Sequence, residues 1–349
     1  MALLLLISSV WYSYLLLTLA NAVPIQNEAV ILTVPIRQDY NWNITIGNPP
    51  QSFTVKLLIS GVVSFVPSVQ CNTDECMDHS RYDSSKSKTY KADGTKYETN
   101  SQELIRGFVS KDSICLSDIC INEHPFVEAT VVATWDGRIF FNENVDGILS
   151  IGISKSGIPT FLDKLFEQKK IPRKVVSIWH EWFSNTTGEV TIGGINEKRY
   201  DGTLNWTAFT SDNHWLMPMV KLDQIRSQNS TLGCKDRCDM IVTQELPIFG
   251  PTDEVEEINK YIGAKCGARC IVPCDQIAQL PEITFVLGET KLRLTGKDYI
   301  IRMRENYCQS AFMPFEADLW FIGEPIIRRY YTVFDFEKNL VGFANKKGF

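Results

Sequence analysis

The sequence predicts a mainly β protein with a few short helices. Residues 43–46 alternate polar with apolar side chains and end at the turn formed by residues 47–50. Residues 53–59 and 62–66 are the next runs rich in β-forming residues. Most of the remaining chain consists of similar short runs separated by Gly, Asn, Asp and Pro, without a low-complexity linker.

Two segments predict helices. Thr160 can cap a helix over residues 161–168, whose apolar side chains recur on one face. Thr252 can cap a second helix, where acidic residues in the first turn favour the helix dipole. The predicted buried stripe of this second helix is Val255, Ile258 and Ile262.

Composition restricts the class of protein and its partners. The 349 residues are 44% hydrophobic and 22% charged, which is typical of a globular chain of two domains. The net charge is −6, from 35 basic and 41 acidic residues, and no basic block stands out. This balance argues against a nucleic-acid partner or an anionic membrane surface as partner.

The N-terminus predicts secretion. Residues 1–19 are almost entirely apolar, and Ala20-Asn21-Ala22 is a small-residue cleavage site, so residues 1–22 are predicted to be a signal peptide. An uncleaved signal anchor is the alternative, but the run lacks flanking Lys or Arg. No later run is long and apolar enough to span a bilayer. The predicted location is therefore extracellular.

Four N-x-[S/T] sequons follow the predicted signal peptide and favour a glycoprotein. Two of them, Asn43 and Asn205, lie in strand-like sequence and are expected to be poorly accessible. The candidate glycosylation sites are Asn43, Asn185, Asn205 and Asn229.

The ten cysteines admit two interpretations. A thiolate metal site could use Cys266, Cys270, Cys274 and Cys308, whereas a secreted chain favours disulfides between near neighbours. The four histidines are scattered without ligand spacing. We therefore expect disulfides, no metal and no cofactor.

A series of segments resembles, in order and spacing, the pepsin-like aspartic proteases. The segments are 46–55 (IGNPPQSFTV), 66–68 (VPS), 71–76, 145–149 (VDGIL), 193–195 (GGI), 200–206 (YDGTLNW), 280–285 (LPEITF), 319–323 (LWFIG), 328–335 (RRYYTVFD) and 341–343 (VGF). The resemblance covers most of the chain after the predicted signal peptide.

This resemblance implies a bilobal, β-rich fold with a substrate cleft between the lobes. The implied N-terminal lobe is residues 23–205 and the implied C-terminal lobe is residues 206–349. The resemblance also implies the disulfides Cys71–Cys76, Cys234–Cys238 and Cys274–Cys308. The remaining cysteines are then inferred to form the local pairs Cys115–Cys120 and Cys266–Cys270.

The catalytic motif of the family is missing. The family's reaction uses one D-[T/S]-G loop from each lobe, because two close carboxylates must share one proton. An ungapped placement puts Leu58-Ile59-Ser60 on the first loop, and Thr243-Gln244-Glu245 falls on the second loop. No D-[T/S]-G occurs in the sequence, and Glu245 would be a lone carboxylate.

Two further differences from the family agree with inactivity. In the hairpin that covers the family's cleft, Asn100 takes the place of a Tyr, and side chains replace flanking glycines. The family's basic prosegment has no counterpart, because residues 23–40 contain a single basic residue, Arg37. The sequence thus predicts that the protein is not an enzyme.

Several functions remain open for an inactive member. The pattern resembles the inactive aspartic-protease-like proteins of cockroaches, some of them allergens, for which small hydrophobic or semiochemical ligands are suggested. A cleft floor without carboxylates is less polar, which suits an apolar ligand. The candidate cleft residues are Leu58, Ile59, Asn100, Ser101, His214, Thr243, Gln244 and Glu245.

Three alternatives to a ligand-filled cleft stay open. Leu58 and Ile59 could fill the space of the lost carboxylates, so that no pocket remains. The protein could instead be a decoy or interaction glycoprotein that binds a peptide or protein without cleavage. A weak or altered hydrolase is the last of the three.

Overall fold

The computed structural model describes residues 31–35, 40–99, 103–134, 145–154, 157–180, 188–210, 217–244 and 247–347. The predicted signal peptide and the sequon at Asn185 lie outside these residues. The strands of the first half are β1 Leu32–Pro35, β2 Asn41–Ile46, β3 Gln51–Leu58, β4 Phe65–Pro67, β5 Lys91–Glu98, β6 Glu103–Leu116, β7 Ile119–Thr134, β8 Gly147–Ser150, β9 Val175–His180, β10 Gly188–Ile192 and β11 Tyr200–Ala208.

The strands of the second half are β12 Met219–Leu222, β13 Gln224–Ser227, β14 Ser230–Gly233, β15 Cys238–Val242, β16 Ile248–Pro251, β17 Lys265–Cys266, β18 Cys270–Val272, β19 Ile283–Leu287, β20 Thr290–Leu294, β21 Ile300–Arg304, β22 Tyr307–Ser310, β23 Phe312–Phe315, β24 Trp320–Ile322, β25 Tyr330–Asp335 and β26 Leu340–Lys346. The α-helices are α1 Asp74–Met77, α2 Phe161–Glu167, α3 Thr252–Tyr261, α4 Gly296–Tyr299 and α5 Glu324–Arg329, and the 3-10 helices are Ser84–Lys86, Glu197–Arg199 and Cys274–Gln279. No helix in the described part of the chain has the length and hydrophobicity needed to cross a bilayer. The predicted mainly β fold class is confirmed.

The first part of the chain forms a seven-stranded sheet in the order β2-β3-β8-β4-β7-β6-β5, with a further pairing between β2 and β6. Alternation builds its core, because Trp42, Ile44 and Ile46 of β2 are buried while Asn43 between them is exposed. The predicted strand over residues 62–66 is shifted to Phe65–Pro67. The residues before Phe65 instead form a loop that belongs to the candidate site.

The second part of the chain forms three smaller sheets, with strand orders β12-β15-β24-β16-β23, β14-β13-β19-β20 and β17-β18-β22-β21. Their core combines aliphatic side chains with a group of packed aromatic rings. Phe285 stacks on Phe312 at 6.5 Å between ring centroids and meets Trp320 edge-to-face at 6.2 Å. These three side chains are almost completely buried.

A six-stranded sheet joins the two parts of the chain, in the order β1-β10-β9-β25-β26-β11. Strands from the beginning, middle and end of the chain therefore share one hydrogen-bonded ladder. Thr332 of β25, for example, pairs with Ile178 of β9. The predicted lobe boundary between Asn205 and Trp206 falls inside β11, an edge strand of this sheet.

The two predicted helices are present, and one predicted cap is wrong. Thr160 forms a capping box with Asp163 at the start of α2, as expected. In α3, by contrast, Thr252 is the first helical residue and Pro251 is the N-cap. The reason is that β16 runs directly into α3, so the last strand residue occupies the cap position. The predicted stripe of α3 is buried.

All five predicted disulfides are present: Cys71–Cys76, Cys115–Cys120, Cys234–Cys238, Cys266–Cys270 and Cys274–Cys308. The thiolate alternative is wrong, because the four cysteines it required are oxidised in two pairs. No free cysteine remains. Such pairing is typical of proteins that fold in an oxidising compartment.

Candidate functional site

The first loop of the candidate site follows β3. Leu58 pairs with Ser150 in the parallel β3–β8 ladder, and its carbonyl accepts a hydrogen bond from the Ile151 N–H at 2.8 Å. The Ser60 carbonyl accepts from the Gly152 N–H at 3.1 Å. A Cβ on Gly152 would lie 2.3 Å from the Ser60 oxygen, so only glycine permits this close approach. The loop is therefore fixed against the residues that follow β8.

The second loop follows β15 in a similar way. The Val242 and Ile322 positions pair in the parallel β15–β24 ladder. The Thr243 N–H continues this ladder by donating to the Ile322 carbonyl at 2.8 Å. Thr243 is 7% exposed and Gln244 is 2% exposed, so both residues lie almost entirely inside the protein.

The two loops meet through the Gln244 side chain. Its Oε1 accepts a hydrogen bond from the Ile59 N–H at 2.9 Å, and its Nε2 donates to the Leu57 carbonyl. The partners are separated by more than 180 residues in sequence. One neutral amide thus bridges the two segments on which the sequence placed the family's catalytic loops. It satisfies a buried donor and a buried acceptor of the first loop.

The structure describes four of the eight candidate cleft residues. Leu58 is the most exposed of them, and it packs partly against the smaller hydrophobic cluster around Phe65. Ile59 is 4% exposed and belongs to the main hydrophobic core. The candidates Asn100, Ser101, His214 and Glu245 lie outside the described residues.

Sequence reasoning missed an aromatic cluster beside the second loop, formed by Phe249, Phe315 and Phe321. The Phe315 ring meets the Phe321 ring edge-to-face at 5.1 Å and the Phe249 ring at 6.2 Å. Phe249 and Phe315 remain half-buried. Phe321 directly precedes the residue whose carbonyl accepts from Thr243. The cluster therefore provides an apolar aromatic surface next to the loop contact.

Three carboxylates are buried in the N-terminal sheet region, and each is held by local donors. Asp112 accepts from the Tyr82 hydroxyl at 2.6 Å. Glu128 accepts from the hydroxyls of Ser110 and Ser68, at 2.5 Å and 3.1 Å. Burial raises the pKa of the Glu128 carboxyl, which favours its protonated form. Asp146 accepts from backbone N–H groups. These contacts are typical of acids that stabilise loops and strands.

Comparison with known proteins supplies the family. A model of the eukaryotic aspartyl proteases matches residues 39–346, which is most of the chain. The chain belongs to the eukaryotic aspartyl protease family. The mainly β fold, the several sheets and the five disulfides agree with the bilobal pepsin-like architecture that the sequence motifs implied.

Relatives of this family member include cathepsins, which it matches over about four fifths of their length. Cathepsin D of Gallus gallus is 35% identical over 324 residues, covering 87% of this chain and 80% of the relative. Cathepsin D of Homo sapiens is 32% identical over 358 residues, covering 93% of this chain and 85% of the relative. Cathepsin E of Aquarana catesbeiana is 30% identical over 323 residues, covering 88% and 79%.

Proposed function

We propose that this aspartyl protease family member is a secreted, catalytically inactive glycoprotein that binds a small hydrophobic ligand of the semiochemical type between its lobes. The observation that carries the proposal is the absence of any D-[T/S]-G sequence from the chain. Leu58 stands where an ungapped motif placement puts the first aspartate. Thr243 stands at the second position, in a loop that has one residue fewer before Gly250 than the family pattern. The sequence pattern resembles that of the inactive, allergen-related cockroach proteins.

The chemistry at the two loops supports inactivity. Peptide hydrolysis in this family needs one carboxylate to activate water and a second, protonated one to donate to the substrate. A leucine side chain and a threonine hydroxyl supply neither function at acidic or neutral pH. Gln244 is a neutral amide whose oxygen and nitrogen are both used to hold the loops together.

The side chains around the loops support an apolar ligand. Leu58 and the half-buried rings of Phe249 and Phe315 are apolar groups near the junction of the two loops. Ligand sites of this kind are mostly apolar, with a few polar groups that fix orientation. The secretion part of the proposal is supported by the five disulfides and by the N-terminal sequence pattern.

Native mass spectrometry of the secreted protein, purified without organic solvent, tests ligand binding. We expect a reproducible small-molecule adduct that the Leu58→Lys variant no longer carries, because a buried ammonium disfavours an apolar ligand. Phe315→Ala should weaken the adduct without adding charge. Met303→Lys, at a residue 54% exposed on β21, is the matched control and should keep the adduct.

Other outcomes of the same experiment would contradict binding of a small ligand. A wild-type protein that carries no adduct and takes up no apolar probe dye would contradict ligand binding. A peptide or protein co-purified in place of a small molecule would favour the decoy or interaction function instead.

A further inference from the structure

The outer face of the β2–β3 hairpin carries a stripe of small polar side chains. Asn43 is opposite Thr54 and Thr45 is opposite Ser52 in the antiparallel register. These four alternate with buried apolar residues such as Phe53, so they share the face that points away from the core. The stripe is therefore a polar surface on a rigid, core-anchored hairpin.

This stripe forms one side of a cavity of about 410 Å³. The other walls come from Ser80, Asp146, Cys115 and Ser117. Most of the lining groups are hydroxyls and amides, and the Cys115–Cys120 disulfide closes the end of the adjoining β6–β7 hairpin. A cavity lined in this way suits a ligand rich in hydroxyl and amide groups.

Asp146 makes the cavity wall rigid. Its Oδ2 accepts from the Thr54 N–H at 2.7 Å, and its Oδ1 accepts from the Ser80 N–H at 2.8 Å. The side chain of His79 approaches the same carboxylate, with Nδ1 3.6 Å from Oδ1. The carboxylate thus ties β3 to the segment around Ser80 and fixes this wall of the cavity.

Asn43 is both a cavity residue and the acceptor of an Asn-Ile-Thr sequon. Contrary to the expectation from its strand-like sequence, Asn43 is exposed, and so is Asn205. The Asn43 Oδ1 accepts from the Thr54 hydroxyl at 3.2 Å. This contact fixes the amide and leaves Nδ2, the atom that N-glycosylation uses, without a hydrogen-bond partner among the described residues.

We propose that this cavity holds the first N-acetylglucosamine of an N-glycan attached to Asn43. In that modification the amide nitrogen bonds to the anomeric carbon of the sugar, loses one proton, and displaces the lipid pyrophosphate carrier. The acetamide and hydroxyl groups of the sugar match the hydroxyls of Thr45, Ser52 and Ser80. The inference rests on the proposed secretory route, because only that route supplies the donor.

The sequon at Asn229 provides the internal control. It lies in the tight turn between β13 and β14, where Gln228 has a φ of 48°. Asn229 is exposed and does not line the cavity. A glycan there would project into solvent, whereas the first sugar on Asn43 would lie in an open cavity against its lining side chains.

Glycopeptide mapping with enzymatic glycan release tests the proposal on the secreted full-length protein. An amidase that cleaves between Asn and the first sugar should release the Asn229 glycan from native protein and the Asn43 glycan at least about tenfold more slowly. Unfolding should abolish the difference. Ser52→Trp fills the cavity outside the sequon and should make the native Asn43 glycan readily released. Gln224→Trp, at an exposed residue of β13, should change nothing at Asn43.

Failure of the cavity proposal and failure of the proposed function give different results. Occupied Asn229 with unmodified Asn43, or equal release from both sites in native protein, would overturn the cavity proposal while leaving secretion intact. The absence of glycans from every sequon would contradict the glycoprotein part of the proposed function as well. A Ser52→Trp variant whose Asn43 glycan is still released slowly from native protein would also overturn the cavity proposal.

Discussion

The two loops of the candidate site contribute unequally to the contact between them. In the hydrogen bonds between the described residues of the two loops, the first loop offers backbone groups, the Leu57 carbonyl and the Ile59 N–H, whereas the second loop offers the side chain of Gln244. Both of these hydrogen bonds therefore depend on the Gln244 side chain. Because an amide does not titrate, this contact should hold equally at acidic and neutral pH.

The interiors of the two lobes differ in the opposite direction, with more buried polar groups on the N-terminal side. The N-terminal sheet region buries His124, Asp112, Glu128 and Asp146, while the C-terminal sheets bury mainly apolar and aromatic side chains among the described residues. Burial lowers the pKa of His124 and raises that of Glu128, so a change of pH acts on the N-terminal sheet region through these two groups. The loop junction, in contrast, is insensitive to pH.

Removal of the Gln244 amide should lower the free energy of unfolding more than any other change to the two loops. Gln244→Ala leaves the Leu57 carbonyl and the Ile59 N–H buried without partners, so the free energy of unfolding should fall by about 2–4 kcal/mol. Ile59→Val keeps both hydrogen bonds and should cost only about 1 kcal/mol. Chemical denaturation of the three proteins measures the difference. Equal losses in both variants would show that the amide bridge is unimportant.

Gln244→Glu tests the two hydrogen bonds of the Gln244 side chain separately. At neutral pH its carboxylate can accept from the Ile59 N–H but cannot donate to the Leu57 carbonyl. Burial raises the pKa of such a carboxyl, so the folded state binds a proton more readily than the unfolded state and the lost stability returns as pH falls. A variant that stays equally unstable in acid would contradict the assigned direction of the two hydrogen bonds.

His124 should account for part of the acid sensitivity of the N-terminal side. It is fully buried, packs edge-to-face on Phe161 at 5.8 Å, and neither ring nitrogen has a hydrogen-bond partner among the described residues. Burial, with a smaller contribution from nearby Lys164, lowers the pKa of His124 to about 3. The folded state therefore resists protonation that the unfolded state accepts below its ordinary pKa.

The lowered pKa of His124 makes the folded state less stable in acid. The folded pKa lies below the unfolded value, so stability is complete above about pH 6.5 and is lost as pH falls, by about 2 kcal/mol at pH 5. His124→Leu should remove that loss. Denaturation curves of both proteins at pH 7 and pH 5 measure it. An identical pH dependence in wild type and variant would show that His124 is not responsible.

The sequence predicted the fold better than the site. Thr160 and its Asp163 partner form the expected capping box, because caps depend on neighbours within one turn. The disulfides followed from the family resemblance and from short spacings. The prediction that Thr252 is the N-cap of α3 is wrong because the residues before it belong to a strand, which local helix signals do not reveal.

The missed features of the site depend on distant segments. The Gln244 bridge joins residues more than 180 positions apart, and its geometry depends on how both loops end their strands. The aromatic cluster arises because β16 lies between β23 and β24, which brings Phe249 beside Phe315 and Phe321. No periodicity in one segment encodes such contacts.

Incubation with an unfolded substrate protein, from acidic to neutral pH, tests the central claim most directly. Cathepsin D serves as the positive control, and each reaction is run with and without an aspartic-protease inhibitor. We expect no inhibitor-sensitive cleavage by this protein at any pH, because Leu58 and Thr243 cannot share a proton. Cleavage that the inhibitor abolishes would contradict it.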